Sequence, residues 1–561
     1  MTTFRGPKLE DDPDRGPETL GGFLRKTTAV NGPREAVVSH NSNGRLAWTY
    51  NDLEHAARLV ASALISAGIE PGERVGLLMG NRPTWVASAF GVALAGGVLV
   101  PLNTYLEPPE LAYVLAHSDA SMLLMQNELA GHDYLGAVSA LAARATLPAL
   151  RGAACVGLSE QRGSIEPWTA FLERGHEVPA DALDARASAV TPADDGIIIY
   201  TSGTTAAPKG VLHAHAPACL QSRRFVRHLA LDRNVRSWSA FPLFWTAGFA
   251  MVMGATFAAG GCMVLQERFD PGEALALLES ERVTAPHAWP HQMAELEAHS
   301  DWGRTDLSSL RYVESFSPFG RHPSLRLEPD AWSSRAAYGL TETLTIVTST
   351  PSDAPPEIRD RAQGRILPGN EIRILHPDTG APQPAGADGE IAVAGATLMK
   401  GYLKVPRERT FDADGFFRTG DAGQMDAGGF LHWTGRTSDM IKTGGANVSP
   451  VEIEMELLHH PHLKASGAVG VPHETLGQMV VVVAVAQDGA TVSEDDVRGF
   501  LKGRIASYKI PRRVFFVQEA DLSLTGNQKI RPEDLRTLAG ARLAEAGDLS
   551  GPRSARLRRR L

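Results

Sequence analysis

The chain has 561 residues, 43 % of them hydrophobic and 21 % charged, with a formal net charge of −9. That length exceeds a single compact domain, so two or more are expected. The acidic balance argues against a general nucleic-acid binder.

The N-terminus, MTTFRGPKLEDDPDRGPE, is polar and acidic and has no signal-peptide core. Thr49 can cap a helix in which Leu53, Ala56, Ala57, Val60, Ala63 and Leu64 recur at helical spacing. Gly68 stops that helix, Pro71-Gly72 turns the chain, and residues 74–79 read as an apolar strand. The longest apolar stretch, 85–102, is broken by Gly91, Gly96, Gly97 and Pro101. It reads as a buried helix running into a strand, not as a membrane span. Helix and strand alternate again over 109–125, which predicts an α/β fold with mostly parallel sheets. Residues 183–196 read as a linker before a strand at 197–201, and 349–357 as a loop. Between 371 and 430, short strands such as 371–375 and 390–393 predict a small antiparallel, β-barrel-like unit. Beyond it come a helix at 449–459, strands at 465–471 and 479–486, and a helix at 493–505. A boundary near 436–439 separates a large N-terminal domain, 1–436, from an α+β C-terminal domain, 437–561. The basic end RSARLRRRL reads as a solvated tail. Cys155, Cys219 and Cys262 lie far apart and form no C-x-x-C pattern, so a reducing, cytoplasmic setting is expected.

The stretch IYTSGTTAAPKGVLHAH, residues 199–215, has the composition of a phosphate-holding loop. Thr201, Ser202, Thr204 and Thr205 offer hydroxyl donors, Gly203 lets backbone N–H groups approach oxygen, and Lys209 adds charge. It is not the P-loop G-x-x-x-x-G-K-[ST]: counted from Gly203, Pro208 stands at the second glycine and Gly210 follows Lys209. An ordinary polar turn is the alternative. YGLTETLT sets Glu342 between Thr341 and Thr343, where a carboxylate suits Mg²⁺ shared with substrate phosphates; a surface acid is the plain alternative. In GFFRTGDAG, Asp421 suits a pair of vicinal hydroxyls such as ribose presents, or is simply a turn aspartate. HWTGRTSDMIKTGGANVSPVEIE carries Arg436, Asp439, Lys442 and Gly444-Gly445 before a helix start at Ser449-Pro450. Lys529, in LTGNQKIRPEDLR, says nothing by itself.

Taken together and in this order, from about Thr49 to Arg536, these motifs resemble the adenylate-forming superfamily of acyl-CoA synthetases, aryl-CoA ligases, luciferases and peptide-synthetase adenylation domains. YTSGTTAAPKG resembles its phosphate loop. FPLFWTAGF, with Phe244, Trp245 and Gly248, resembles the acid-pocket and gate segment. SPFG, with Ser317, resembles the adenine-side strand. YGLTET, with Tyr338, Gly339, Thr341 and Glu342, resembles the magnesium and adenylate segment, and RTGD the ribose acid. GRTSDMIKTGG resembles the hinge, at Ser438, and the thiol tunnel, at Lys442, Gly444 and Gly445. NQKIRPEDLR places Lys529 on the catalytic lysine.

The resemblance implies that a carboxylic acid attacks the α-phosphate of ATP, pyrophosphate leaves, and the acyl-AMP passes to the thiol of CoA. It implies Mg²⁺ on Glu342, Lys209 in the phosphate loop, Lys529 beside the attacking carboxylate, Asp421 and Arg436 on ribose, and Tyr338 on adenine. It also implies a mobile C-terminal domain, which withdraws Lys529 and brings in the glycine pair. This chain departs from the usual pattern at Ala206 (glycine), at Ser438 (Asp or Lys), at Asn527-Gln528 (Thr-Gly), and at Ser315-Phe316-Ser317 (a glycine-rich segment). The last departure puts the Phe316 ring near the acid or adenine. Trp245 stands where amino-acid-activating members carry an aspartate, so a buried ammonium would be unpaired; Phe249 adds a further aromatic candidate. An apolar acid, short-to-medium acyl or aryl, is expected. Two other readings stay open: loading of a carrier protein's pantetheine, and a degenerate member that only binds. The expected partners are the acid, ATP and CoA, without nucleic acid or a membrane span; a homodimer stays open.

Overall fold

The helix announced by Thr49 forms as Tyr50–Ser66, and its start is a capping box. The Thr49 hydroxyl accepts from the N–H of Asp52, and the Asp52 carboxylate accepts from the N–H of Thr49. Leu53, Ala57, Val60 and Leu64 are buried on one face. The computed structural model describes residues 2–545, except 17, 43, 130, 144–146, 202–207, 328–331, 333–334, 352–357, 359–360, 438, 444–445, 474–475, 506–508 and 522–531. Contacts divide the chain into two compact units. One comprises Phe4–Glu371 and Val393–Phe417; the other comprises Met1–Thr3, Ile372–Ala392 and the residues from Arg418 onward.

The larger unit is α/β. One sheet runs in the order Ile165–Pro167, Gly152–Val156, Ala120–Gln126, Arg74–Leu78, Val98–Pro101, Asp195–Thr201, Lys209–Ala214, Gly401–Tyr402. The first six strands are parallel and the last two pairings antiparallel. Ala120–Gln126 is buried along its whole length, as a parallel strand covered on both faces must be. A second sheet has the order Ala285–His287, Arg236–Ser239, Cys262–Leu265, Glu35–Asn41, Gly44–Thr49, and a three-stranded antiparallel sheet joins Ala337–Leu340, Thr345–Ser349 and Arg365–Ile366. The apolar stretch forms the helix Pro83–Leu94 and the strand Val98–Pro101, as its glycines foretold. Among the described residues no helix is long and apolar enough to cross a membrane.

One sequence expectation is corrected here. Residues 183–196 are not a linker throughout, because Ala180–Ala189 is helical. Its alanines favour helix, and Leu183 and Ala187, one turn apart, bury against the body. Of the loop expected at 349–357, Ser349 ends a strand and 352–357 lie outside the described residues.

The strands Asn370–Leu375, Gly389–Gly395, Phe417–Met425 and Leu431–Arg436, which lie mostly in the smaller unit, follow one another in a sheet that forms a half-barrel. The C-terminal part is α+β. MVVVVAVA lies in the strand Gly477–Ala486, where Val480 and Val482 enter one core and Val481, Val483 and Val485 enter another. Pro450–Leu457 and Glu494–Leu501 contribute to the first core and Pro532–Glu545 to the second. Each fully buried valine contributes about 1.5–3 kcal/mol, so the two-faced run holds this sheet between its helices. The helix expected over 493–505 starts on a Ser493 capping box but ends at Leu501, since Lys502 is extended and Gly503 has φ +77°.

Candidate active site

Thr201 ends a strand at the carboxyl edge of the parallel sheet, and Lys209 opens the antiparallel strand that returns beside it, in register Thr201↔Lys209. The two described residues that flank the expected phosphate loop, Thr201 and Lys209, therefore stand at the edge where α/β sheets bind ligands. Ser202, Gly203, Thr204, Thr205 and Ala206 lie outside the described residues. Lys209 is exposed, with Nζ 4.9 Å from the ring centroid of Tyr402. The Tyr402 hydroxyl donates to Oε1 of Glu342 at 2.6 Å. Two residues expected to serve ATP thus meet on opposite parts of one tyrosine, which lies outside every motif.

Glu342 sits in the short turn Thr341–Thr343, held from several sides. The Thr343 hydroxyl accepts from the N–H of Leu340 at 3.1 Å and donates to the carbonyl of Thr345 at 2.7 Å. The Gln221 amide donates to the carbonyls of Thr343, at 3.0 Å, and Ile346, at 2.7 Å. The N–H of Met399 donates to the carbonyl of Glu342 at 2.7 Å. Burial pushes the His213 imidazole down to about 4, so near pH 7 it is neutral and its Nε2–H donates to the carbonyl of Thr341 at 2.7 Å. The exit from the turn is strained, since Leu344 has φ +48° and Thr345, a β-branched residue, φ +94°. Gly339 makes this possible: a Cβ there would collide with the carbonyl oxygen of Thr345.

Tyr338 is 6 % exposed, and its N–H donates to the Thr348 hydroxyl at 3.1 Å. The Ser317 hydroxyl donates to the carbonyl of Glu314 at 2.7 Å and accepts from the N–H of Gly320 at 3.1 Å, so it closes its own turn. Phe316, on that turn, is 73 % exposed. Its ring faces solvent rather than lining an apolar recess.

In FPLFWTAGF, Asn81 reaches across from another strand end. Its amide donates to the carbonyl of Phe241 at 3.0 Å and its carbonyl accepts from the N–H of Leu243 at 2.9 Å. Phe244 is buried and Trp245 half-buried, their ring centroids 5.2 Å apart at 72°. Tyr105, which no motif contains, joins them at 6.0 Å from Phe244 and 6.4 Å from Trp245. Gly248 lets the chain fold back, because a Cβ there would collide with the carbonyl of Pro242. A π-helical segment, Ala247–Gly254, follows. Phe249 is core, edge-on to Trp85 at 6.4 Å. Two cavities of about 390 and 570 Å³ lie elsewhere, one lined by Glu73, Asp119 and Arg151, the other by Asp14, Arg227 and Arg335.

In the smaller unit, Asp421 and Arg436 are a cross-strand pair with Nε 3.1 Å from Oδ1. Nη1 of Arg436 also donates to the carbonyl of Thr419 at 2.8 Å. The N–H of Asp439 donates to the carbonyl of Arg436, and its carboxylate lies 3.6 Å from Arg536. Lys442 is exposed in the strand Ile441–Thr443, whose hairpin partner is Ala446–Val448. Ser438, Gly444, Gly445 and Lys529 lie outside the described residues.

Residues 24–403 match the family described as AMP-binding enzyme, and residues 452–529 match the AMP-binding enzyme C-terminal domain. The chain belongs to the AMP-binding enzymes of the adenylate-forming superfamily. This AMP-binding enzyme is 32 % identical to a feruloyl-CoA synthase of an Amycolatopsis species, over 91 % of this chain and 96 % of that one. It is 32 % identical to the indoleacetate–CoA ligase of Aromatoleum aromaticum, over 87 % and 93 %. Among solved structures, an anthranilate CoA ligase in complex with anthranoyl-AMP superposes with a TM-score of 0.77 at 26 % identity, covering 96 % of this chain and all of that one. The AMP-binding enzyme is an acyl-CoA ligase: an acid and ATP give acyl-AMP and pyrophosphate, and CoA then takes the acyl group. ATP, Mg²⁺ and CoA are the reactants and cofactor of this family. Glu342 offers the hard carboxylate oxygen that Mg²⁺ takes. Among the described residues no group of three or more His, Cys, Asp and Glu is placed to hold a metal ion.

Proposed function

We propose that this ligase activates an aromatic carboxylic acid. The observation that carries the reading is the cluster of Tyr105, Phe244 and Trp245, in which Phe244 stands edge-on to both other rings, beside the turn that Asn81 holds. Edge-to-face packing selects flat rings over flexible chains. The named substrates of the relatives above, ferulate, indoleacetate and anthranilate, support it. FPLFWTAGF contains no acid to pair with a substrate ammonium, which disfavours amino acids.

A carboxylate and a triphosphate repel each other, so their reaction needs positive charge placed in advance. Lys209 meets the phosphates together with Thr201, Ser202, Gly203, Thr204 and Thr205. Bound Mg²⁺, held by Glu342, supplies further neutralisation of phosphate charge. Lys529 steadies the attacking carboxylate during adenylation. Asp421 accepts from the ribose hydroxyls and Arg436 orients that carboxylate. Ser317, Tyr338, Gly339 and Thr341 border the adenylate, with Phe244, Trp245 and Gly248 on the acid side. Lys442, Gly444 and Gly445 serve the thiol half-reaction, and Ser438, within 436–439, is the hinge between domains 1–436 and 437–561.

A cytoplasmic enzyme fits the three free, buried cysteines. Light scattering on the purified protein decides between monomer and homodimer. The deciding assay is exchange of labelled pyrophosphate into ATP with a panel of aryl and alkyl acids, followed by addition of CoA. Aryl acids support exchange and give CoA esters if the reading is right. Alkyl-only exchange overturns the substrate class, loading of a carrier protein alone overturns the acceptor, and no exchange with any acid leaves only a binding protein.

A further inference from the structure

Tyr402 is tied to both halves of the phosphate-binding apparatus. Its two-residue strand, Gly401–Tyr402, pairs with Lys209–Ala214 in register Val211↔Tyr402. The N–H of Lys400 donates to the carbonyl of Leu212, and that of Leu403 to the carbonyl of Gly210, each at 2.8 Å. At the other end of the segment, the N–H of Met399 holds the carbonyl of Glu342. The side chain repeats the pattern, its hydroxyl on the Glu342 carboxylate at 2.6 Å and its ring 4.9 Å from the Lys209 ammonium. Phe417 fixes the ring from the side, edge-on at 6.1 Å.

Lys209 and Glu342 carry opposite charge. A direct ion pair would consume the charge each needs for the nucleotide, and breaking that pair would cost part of the binding energy. Instead each finds its own contact on the tyrosine. The hydroxyl is a neutral donor that orients the carboxylate without cancelling it, and the ring face attracts the ammonium without a counter-charge. We propose that Tyr402 is a positioning residue that keeps Lys209 and Glu342 unpaired with each other and aimed at one Mg²⁺-bound triphosphate. The inference rests on the roles given above to Lys209 and Glu342.

The test uses full-length protein and the variants Tyr402→Phe and Tyr402→Leu. ATP binding is followed by calorimetry across a Mg²⁺ series, with thermal midpoints recorded alongside. Tyr402→Phe keeps the ring and loses the hydroxyl. It should raise the Mg²⁺ concentration for half-maximal ATP binding roughly 3–10-fold, while ATP affinity at saturating Mg²⁺ stays within about twofold. Tyr402→Leu loses both contacts and should also weaken ATP binding at saturating Mg²⁺ roughly 3–10-fold. A merely structural role lowers the thermal midpoint without moving the Mg²⁺ requirement. An unchanged Mg²⁺ requirement in Tyr402→Phe overturns the proposal, and that variant decides alone if Tyr402→Leu does not fold. Absence of acid-dependent exchange in the wild-type chain would instead count against the underlying roles, whatever the variants do.

Discussion

Asp421 and Arg436 face each other across adjacent antiparallel strands, with the guanidinium Nε 3.1 Å from the carboxylate. The aspartate side chain is 7 % exposed and the arginine 53 %, so the arginine covers the acid and leaves its own outer face in water. Such a pair adds little stability on its exposed side, but it fixes the direction of the carboxylate. Asp421→Asn keeps the shape and removes the charge. A hydrogen bond to a charged acceptor contributes about 1.5–3 kcal/mol, so KM for ATP should rise roughly 10–100-fold. The check is a comparison of ATP with 2′,3′-dideoxy-ATP in pyrophosphate exchange. If Asp421 reads ribose, the variant loses most of the wild-type discrimination; full discrimination in the variant removes Asp421 from that role.

Lys529→Ala should slow adenylation by a factor of roughly 10²–10³, the cost of removing one preorganised charge at a reacting centre. Attack of CoA on supplied acyl-AMP should stay close to the wild-type rate. Single-turnover measurements of the two half-reactions separate the outcomes. Equal loss in both contradicts a lysine that serves only the first.

Trp245→Ala opens space beside Phe244 and Tyr105, and the ratio of kcat/KM between a bicyclic and a monocyclic aryl acid should shift about tenfold or more toward the larger. The same acid panel under pyrophosphate exchange measures it. An unchanged profile takes Trp245 out of the acid site.

Glu281 is the centre of an ion network in the larger unit. Its carboxylate accepts from Arg45 at 2.8 Å, His40 at 2.7 Å and Arg236 at 2.6 Å, with its side chain 4 % exposed. Burial alone would raise its pKa, yet the hydrogen bonds from Arg45 and His40 and the charges of Arg45 and Arg236 outweigh burial and hold it at about 2. A depressed carboxylate stabilises the fold above its unfolded value, near 4.5, and that stability is lost as pH falls toward 2. The span corresponds to about 3 kcal/mol. Thermal midpoints should therefore fall steeply between pH 4.5 and 2 in the wild type. They should fall less steeply in Glu281→Gln, which starts lower at pH 7 because the arginines lose their partner. Parallel curves for the two proteins would show that Glu281 does not govern the acid limb.

Much of the fold is legible in local patterns of the chain. The Thr49 cap, the start of the helix at 493, the helix and strand of the broken apolar stretch, and the strand over 479–486 each form where the spacing places them. The helix Ala180–Ala189, which overlaps the start of 183–196, is hard to read because only Leu183 and Ala187 on it are buried, and two apolar positions leave a weak periodic signal. Phe316 is expected beside substrate because aromatic character carries no direction; the turn that points the ring to solvent is set by hydrogen bonds around Ser317. Tyr105 and Tyr402 give no signal because neither lies in a motif whose composition suggests chemistry.

Local spacing and the order of short motifs are enough to establish the family, the alternation of helix and strand, and the residue types available for phosphate, ribose and metal. Which of those residues meet is a property of the folded chain. Tyr402 lies 60 positions from Glu342, and what joins it to that acid and to Lys209 is sheet pairing between distant segments. Such pairing is selected by burial and register over the whole unit, and no window of neighbouring residues records it.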